Sequence, residues 1–113
     1  MKSKIIALSK NHEFKKLLQE KKVSNKYVII YFGYLEKKNK NRLNISFVTK
    51  KKIGNAVKRN KVKRRLRNIM NDATKKIKIN FNYSYLVIAK STMLSSDYIN
   101  IKEILFKEFE RIY

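Results

Sequence analysis

Four arginines crowd one short stretch of the chain, and their chemistry is that of phosphate recognition. Arg59, Arg64, Arg65 and Arg67 fall within nine consecutive positions, although the sequence otherwise prefers lysine, with 23 Lys against 6 Arg. A guanidinium group is planar and donates several hydrogen bonds at once, so it suits phosphate oxygens and base edges. The clustering therefore favours a site that recognises phosphates or bases.

The region around these arginines carries charge of one sign only. No Asp or Glu lies between Glu36 and Asp72. Like charges at i,i+4 spacing destabilise an isolated helix, and a solvated lysine-rich helix ordinarily interleaves glutamates. Because none is present here, we expect the phosphates of a nucleic acid to neutralise this region. The alternative is a lysine-rich face that only meets water.

The chain as a whole is also strongly basic. Its 113 residues carry a formal net charge of +21, which opposes compaction unless a polyanion neutralises it. With 43% hydrophobic and 12% aromatic residues, the chain can still build one modest core. We therefore expect a single domain over residues 1–113 that binds a nucleic acid.

Cysteine usage and hydropathy restrict the compartment. The absence of cysteine excludes disulfides, thiolate-bound zinc and a thiol nucleophile, and it fits a reducing compartment. No apolar run approaches the roughly 18 residues that a membrane helix requires. We expect a cytoplasmic protein with no membrane partner and no small-molecule substrate.

Residues for autonomous catalysis are missing from the pattern. His12 is the only histidine, so a two-histidine acid–base site is impossible. The acidic residues of the last third do not recur at a spacing suited to two-metal catalysis. We predict no catalytic residue and no metal ligand in this chain.

The elements that position the arginines follow from hydrophobic periodicity. The spacing predicts an amphipathic helix over 11–20 and strands over 27–32 and 43–49, joined as an antiparallel hairpin through a polar turn at 36–41. From Asn55 the period becomes helical, and one stripe collects Val62, Leu66, Ile69, Met70, Ala73 and Ile77.

The end of the chain adds a strand and a helix. The run 85–89 predicts a strand, and Ser95, Ser96 and Asp97 can cap a last helix that carries Ile101, Ile104, Leu105, Phe109 and Ile112. We predict an α+β fold, a single compact α/β sandwich. The located runs give the order α-β-β-α-β-α. We expect a small, mostly antiparallel sheet of about four strands with three helices, in the order α-β-β-β-α-β-α, so one strand before the basic helix is not located by periodicity.

The run KKIGNAVKRNKVKRRLR, from Lys51 to Arg67, resembles the signature of the protein component of bacterial ribonuclease P. The matching residues are Gly54, Ala56, Val57, Arg59, Asn60, Lys63, Arg64 and Arg67. Gly54, Ala56 and Val57 correspond to its structural part. A weaker resemblance extends over nearly the whole chain, through its length, basicity and lack of cysteine.

The resemblance implies a subunit of a ribonucleoprotein endoribonuclease that removes the 5′ leader of precursor tRNA. Its RNA subunit, with Mg²⁺, performs the catalysis, and the protein binds no cofactor. The implied surface for that RNA comprises Lys51, Lys52, Arg59, Asn60, Lys63, Arg64 and Arg67. The implied leader-binding cleft comprises Phe14, Leu18, Ile29 and Tyr31. The family also joins the strands around its basic helix by a left-handed crossover, against the usual rule.

Alternatives remain open from the residues alone. Phe14 and Tyr31 could stack on unpaired bases or be ordinary core residues. A generic basic RNA-binding protein of ribosomal type would use the same helix without a role in cleavage. Binding to an anionic membrane is less favoured, because the apolar stripe of the basic helix lacks bulky aromatics.

Overall fold

The computed structural model describes residues 5–8, 11–35 and 41–112. The turn predicted at 36–41 lies outside these ranges except for Asn41. In chain order, the strands and helices are β1 (Ile5–Ile6), α1 (Asn11–Leu17), β2 (Lys21–Ser24), β3 (Val28–Tyr34), β4 (Leu43–Val48), α2 (Ala56–Lys76), β5 (Tyr83–Ala89) and α3 (Tyr98–Ile112). Two short 3₁₀ turns, Lys51–Ile53 and Ser91–Leu94, precede α2 and α3.

One mixed sheet of five strands organises the molecule, in the order β1-β4-β5-β3-β2. The pairs β1–β4 and β4–β5 are parallel, whereas β3–β5 and β2–β3 are antiparallel. The expected α+β class, its three helices and their order with the strands are confirmed. The sheet also contains β1, at the start of the chain. It is not mostly antiparallel as expected: two of its four strand pairings are parallel, because β1 and β5 both run in the same direction as β4.

The predicted antiparallel hairpin between 27–32 and 43–49 is wrong, because β5 lies between these two strands. Val87 of β5 pairs with Ile30 on one side and with Phe47 on the other. The consecutive residues Ser84 to Val87 are all buried, which is typical of a central strand covered on both faces. Alternation in 43–49 indicates one buried face, but it does not identify the neighbouring strand.

The basic helix is anchored on one face of the sheet. Asn55 caps α2, since its side-chain oxygen accepts a hydrogen bond of 3.0 Å from the backbone N–H of Lys58. The predicted stripe is buried from Val62 to Ala73, and Ile77 follows the end of the helix half-buried. Together with α3 this stripe forms the larger hydrophobic core. Among the described helices, none is both long and apolar enough to cross a bilayer.

The opposite face of the sheet, called the α1 face below, carries a smaller core of Leu8, Leu17 and Leu86. Helix α1 ends at Leu17, three residues earlier than predicted. The N–H groups of Gln19 and Glu20 bond three residues back, at 3.1 and 3.0 Å, which tightens the last turn. This early end lets the chain turn directly into the edge strand β2, which the polar residues at 21–24 did not reveal.

Helix α2 connects two neighbouring parallel strands, β4 and β5. A β-α-β unit therefore carries the basic helix, as the resemblance implies. The left-handed sense of this crossover stays a prediction.

An ion pair fastens α2 to α3. The ammonium of Lys102 lies 2.6 Å from a carboxylate oxygen of Asp72. The hydrogen bond from Lys102 lowers the pKa of Asp72 below its ordinary value, and the same bond raises the pKa of Lys102.

We expect Asp72→Asn to lower the melting temperature at pH 7. The pKa of Asp72 is lower in the folded state than in the unfolded state. Its contribution to the free energy of unfolding is therefore fully present above the unfolded-state pKa near 3.8, and it is lost as the pH falls through the folded-state pKa. Melting curves from pH 7 down to pH 3 should therefore show the difference from the unchanged protein shrinking below about pH 4. Glu110→Gln, at an exposed position of α3, is the control; a difference independent of pH would contradict this role of Asp72.

Candidate nucleic-acid interface

A glycine-dependent turn places two lysines at the start of the basic helix. Gly54 has a φ of 145°, in a region that side chains rarely adopt, and its N–H bonds the carbonyl oxygen of Lys51 at 3.1 Å. Ile53 is buried beneath this turn, while Lys51 and Lys52 are exposed. The predicted structural role thus has a physical basis at Gly54. Ala56 and Val57 are exposed, Val57 at 76%, so they contribute little to the core.

Five of the residues carried over from the resemblance lie on one side of α2. With about 100° per residue, they occupy an arc of about 140° that borders the apolar stripe. We call this the basic arc: Arg59, Asn60, Lys63, Arg64 and Arg67. All five are exposed or half-buried. Helical geometry therefore makes one continuous surface from these side chains.

The other side of α2 is occupied by intramolecular contacts. Arg65 donates a hydrogen bond of 3.3 Å to the carbonyl oxygen of Met93, in the turn Ser91–Leu94. Asp72 on the same side is bonded to Lys102 of α3. Arg65 therefore supports the fold, and among the described contacts no other arginine of the cluster does so.

No carboxylate of the described residues forms a salt bridge with the basic arc. Within the described ranges the salt bridges are Lys102–Asp72 and Arg111–Glu108, and neither involves the arc. Unpaired cations close together raise the electrostatic free energy of the free protein and attract polyanions. This arrangement fits phosphate binding better than a helix face that only meets water.

A groove of about 500 Å³ extends from the basic arc to α1. Its walls come from four elements or their flanks: Ile5 and Ala7, Phe14 of α1, residues 45–49 of β4 and its end, and Lys63 and Arg67 of α2. An aromatic ring and two cations thus share one cavity. This combination suits the binding of unpaired nucleotides, because the base can stack on the ring and the cations can neutralise the phosphate.

The four residues expected in the cleft are not equally placed. Phe14 and Tyr31 are half-buried and both pack against the Leu8–Leu17–Leu86 core. Ile29 lies on the same sheet face, opposite Ile88. Leu18 follows the end of α1 with 47% of its surface exposed, outside that packed group.

Residues of β1 and β4 complete the groove, although the sequence reasoning did not assign them to it. Ser46 is buried at 8% exposure, and its hydroxyl accepts a hydrogen bond of 2.8 Å from the N–H of Leu8. This bond holds the segment after β1 against β4. The alternation in 43–49 already places Ser46 and Val48 on one face of the sheet, and it could have indicated that β4 contributes to the groove.

Comparisons with known proteins agree with this picture. Residues 3–113 match the family model described as Ribonuclease P. A ribonuclease P protein component of Mesoplasma florum is 33% identical over 99 residues, covering 87% of this chain and 86% of its own. One from Bacillus cereus strain Q1 is 30% identical over 105 residues, covering 92% and 88%.

Two solved structures resemble the fold. The ribonuclease P protein of Thermotoga maritima superimposes with a TM-score of 0.80 at 24% identity, over 96% of this chain and 98% of that one. That of Staphylococcus aureus gives a TM-score of 0.69 at 29% identity, over 94% and 93%. The arrangement of five strands and three helices is therefore shared with these proteins.

The neighbouring arginines Arg64 and Arg65 should separate binding from folding. We expect Arg64→Ala to reduce the magnitude of the slope of log K against log salt for structured RNA by about one, with an unchanged melting temperature. Arg65→Ala should instead lower the free energy of unfolding by about 1 kcal/mol, because it removes the bond to Met93. Binding titrations at several salt concentrations and thermal melts measure both effects. Identical behaviour of the two variants would refute the assignment of two sides to α2.

Proposed function

We propose a separate role for each surface of this chain, which belongs to the family of bacterial ribonuclease P protein components and is thus a subunit of that ribonucleoprotein endoribonuclease. The basic arc, with Lys51 and Lys52, binds the RNA subunit. The groove and the α1 face hold the single-stranded 5′ leader of precursor tRNA.

The observation that carries this proposal is the groove itself. Phe14 lies on one of its walls, and Lys63 and Arg67 of the basic arc lie on another. A leader in this groove would stay next to the bound RNA subunit. The protein would thus hold the substrate beside the RNA that cleaves it.

Binding of the RNA subunit is electrostatic in this proposal. Each cation that meets a phosphate releases condensed counterions, so affinity falls steeply with salt. If about 6–10 phosphates are neutralised, log K falls against log salt with a slope on the order of −5 to −9. Clustered guanidinium groups add geometric selectivity for paired phosphate oxygens.

Leader binding is dominated by stacking rather than by hydrogen bonds to base edges. Every base has a π face, so an aromatic side chain such as Phe14 accepts leaders of varied sequence. Tyr31 offers a second ring. Leu18 and Ile29 extend the apolar surface without stacking on bases.

The chemical step belongs to the RNA subunit. Its Mg²⁺ ions are bound by RNA in this proposal; within the described residues, no three His, Cys, Asp or Glu side chains are grouped to hold a metal. The protein neutralises charge and holds the substrate while a phosphodiester bond is cleaved to give the mature 5′ end. We propose that this reaction takes place in the cytoplasm.

Phe14→Ala should weaken the binding of substrates that carry a leader. Loss of one stacked base costs about 1–3 kcal/mol, which corresponds to roughly 5- to 150-fold in affinity. Reconstitution with a bacterial catalytic RNA at low Mg²⁺ tests this, with precursor tRNA titrated into the holoenzyme. Mature tRNA without a leader should bind unchanged.

The matched control is Ile99→Ala, which removes an apolar side chain that is 68% exposed on α3, away from the groove. It should leave binding of both RNAs unchanged. If Phe14→Ala weakened the binding of tRNA with a leader and of tRNA without a leader equally, the leader site would lie elsewhere. If the chain failed to restore cleavage, its assignment to this holoenzyme reaction would be lost.

A further inference from the structure

A row of paired residues crosses the α1 face from the free edge of the sheet to the groove. Lys22 of β2 lies opposite Tyr31 of β3, Tyr31 opposite Leu86 of β5, and Leu86 opposite Ser46 of β4. Partners in register project to the same face of a sheet. With strands spaced by 4.7–4.9 Å, the row is about 14 Å long. Its Ser46 end is a wall of the groove.

Lys22 stands at the far end of this row with its charge held beside an aromatic ring. Its ammonium nitrogen lies 5.9 Å from the ring centroid of Tyr31. This distance is close to the outer limit of about 6 Å for cation–π contacts, so the ring orients the ammonium without removing it from water. The ring is fixed because Tyr31 packs against the core of the α1 face.

The ammonium of Lys22 has no carboxylate partner within the described ranges. The nearest acid along the chain is Glu20, whose side-chain stem packs over Gly33. A Cβ added at Gly33 would lie 2.8 Å from Cγ of Glu20. Gly33 belongs to the next row of the α1 face, opposite Ser84. Lys22 is therefore a positioned but unneutralised cation.

We propose that Lys22 binds a phosphate of the leader, next to the base that Tyr31 contacts in the proposed function. This inference rests on the proposed function and extends the leader path from the groove to the β2 edge. Lys63 and Arg67 supply positive charge at one end of the path, and Lys22 supplies it at the other. Apolar and aromatic side chains lie between them, the arrangement by which single-strand binding proteins follow a backbone and stack its bases.

Lys21 provides a matched control for Lys22. It is the adjacent residue of β2 and is also exposed, but it lies opposite Phe32 on the other face of the sheet. Lys21→Ala and Lys22→Ala remove the same charge from nearly the same place in the sequence. A general effect of net charge would be equal in the two variants, whereas a contact on the α1 face would appear only in Lys22→Ala.

The experiment measures the affinity of the assembled holoenzyme for precursor tRNA with a long leader and for leaderless tRNA, over a range of salt. Lys22→Ala should weaken binding of the precursor by roughly three- to tenfold and reduce the magnitude of the salt slope by about one. Lys21→Ala should have no such effect, Lys22→Arg should retain affinity, and leaderless tRNA should bind all variants alike.

Two results would overturn the role of Lys22. One is an equal loss in Lys21→Ala and Lys22→Ala. The other is a lower melting temperature of Lys22→Ala with unchanged leader affinity, which would make Lys22 only a structural partner of Tyr31. Phe14→Ala, measured in parallel, separates the two proposals. If it weakens precursor binding while Lys22→Ala does not, the proposed function stands and this inference fails; if neither does, both fail.

Discussion

Repulsion among cations that the protein itself does not neutralise is the constraint on which this structure depends. The chain carries a net charge of +21, and the side chains of the basic arc have no carboxylate partner within the described residues. A polyanion that covers such a surface relieves this repulsion. The fold must therefore hold α2 rigidly enough to keep these charges together before the RNA arrives. Val62, Leu66 and Ile69 do so from beneath, since all three are fully buried.

The two sides of α2 divide the helix between folding and binding. Arg65 and Asp72 engage the turn at 91–94 and α3, whereas Lys63 and Arg67 line the groove beside α1. One helix thus links the hydrophobic core, the surface proposed to bind RNA and the groove proposed to hold the leader. The parallel pairing of β4 with β5 makes this possible, because it places the β4 wall of the groove beside the central strand. We therefore expect substitutions a single residue apart on α2 to affect different properties.

Much of this could be predicted from local pattern, and the remainder depended on long-range pairing. The stripe of α2 and its cap at Asn55 were readable because helical periodicity and capping are local properties. The position of β5 between β3 and β4 was not readable, since alternation specifies a buried face and not a neighbour. Strand β2 was expected from the order of elements but was not located in the sequence, because KKVS is polar and short. Without β2, the register that puts Lys22 beside Tyr31 could not be foreseen. The groove likewise needed the docking of β1 on β4, which two residues of sequence do not signal.

Protection of introduced thiols tests the central claim most directly, because the chain contains no cysteine. Lys63→Cys and Lys61→Cys make the same change two residues apart, about 200° around α2, with Lys63 inside the basic arc and Lys61 outside it. The rate of alkylation is measured for each variant, free and saturated with the ribonuclease P RNA subunit. We predict that RNA slows alkylation at position 63 at least several-fold and leaves the rate at position 61 nearly unchanged. Equal protection at both positions, or protection at position 61 alone, would contradict the assignment of the basic arc as the RNA-binding surface.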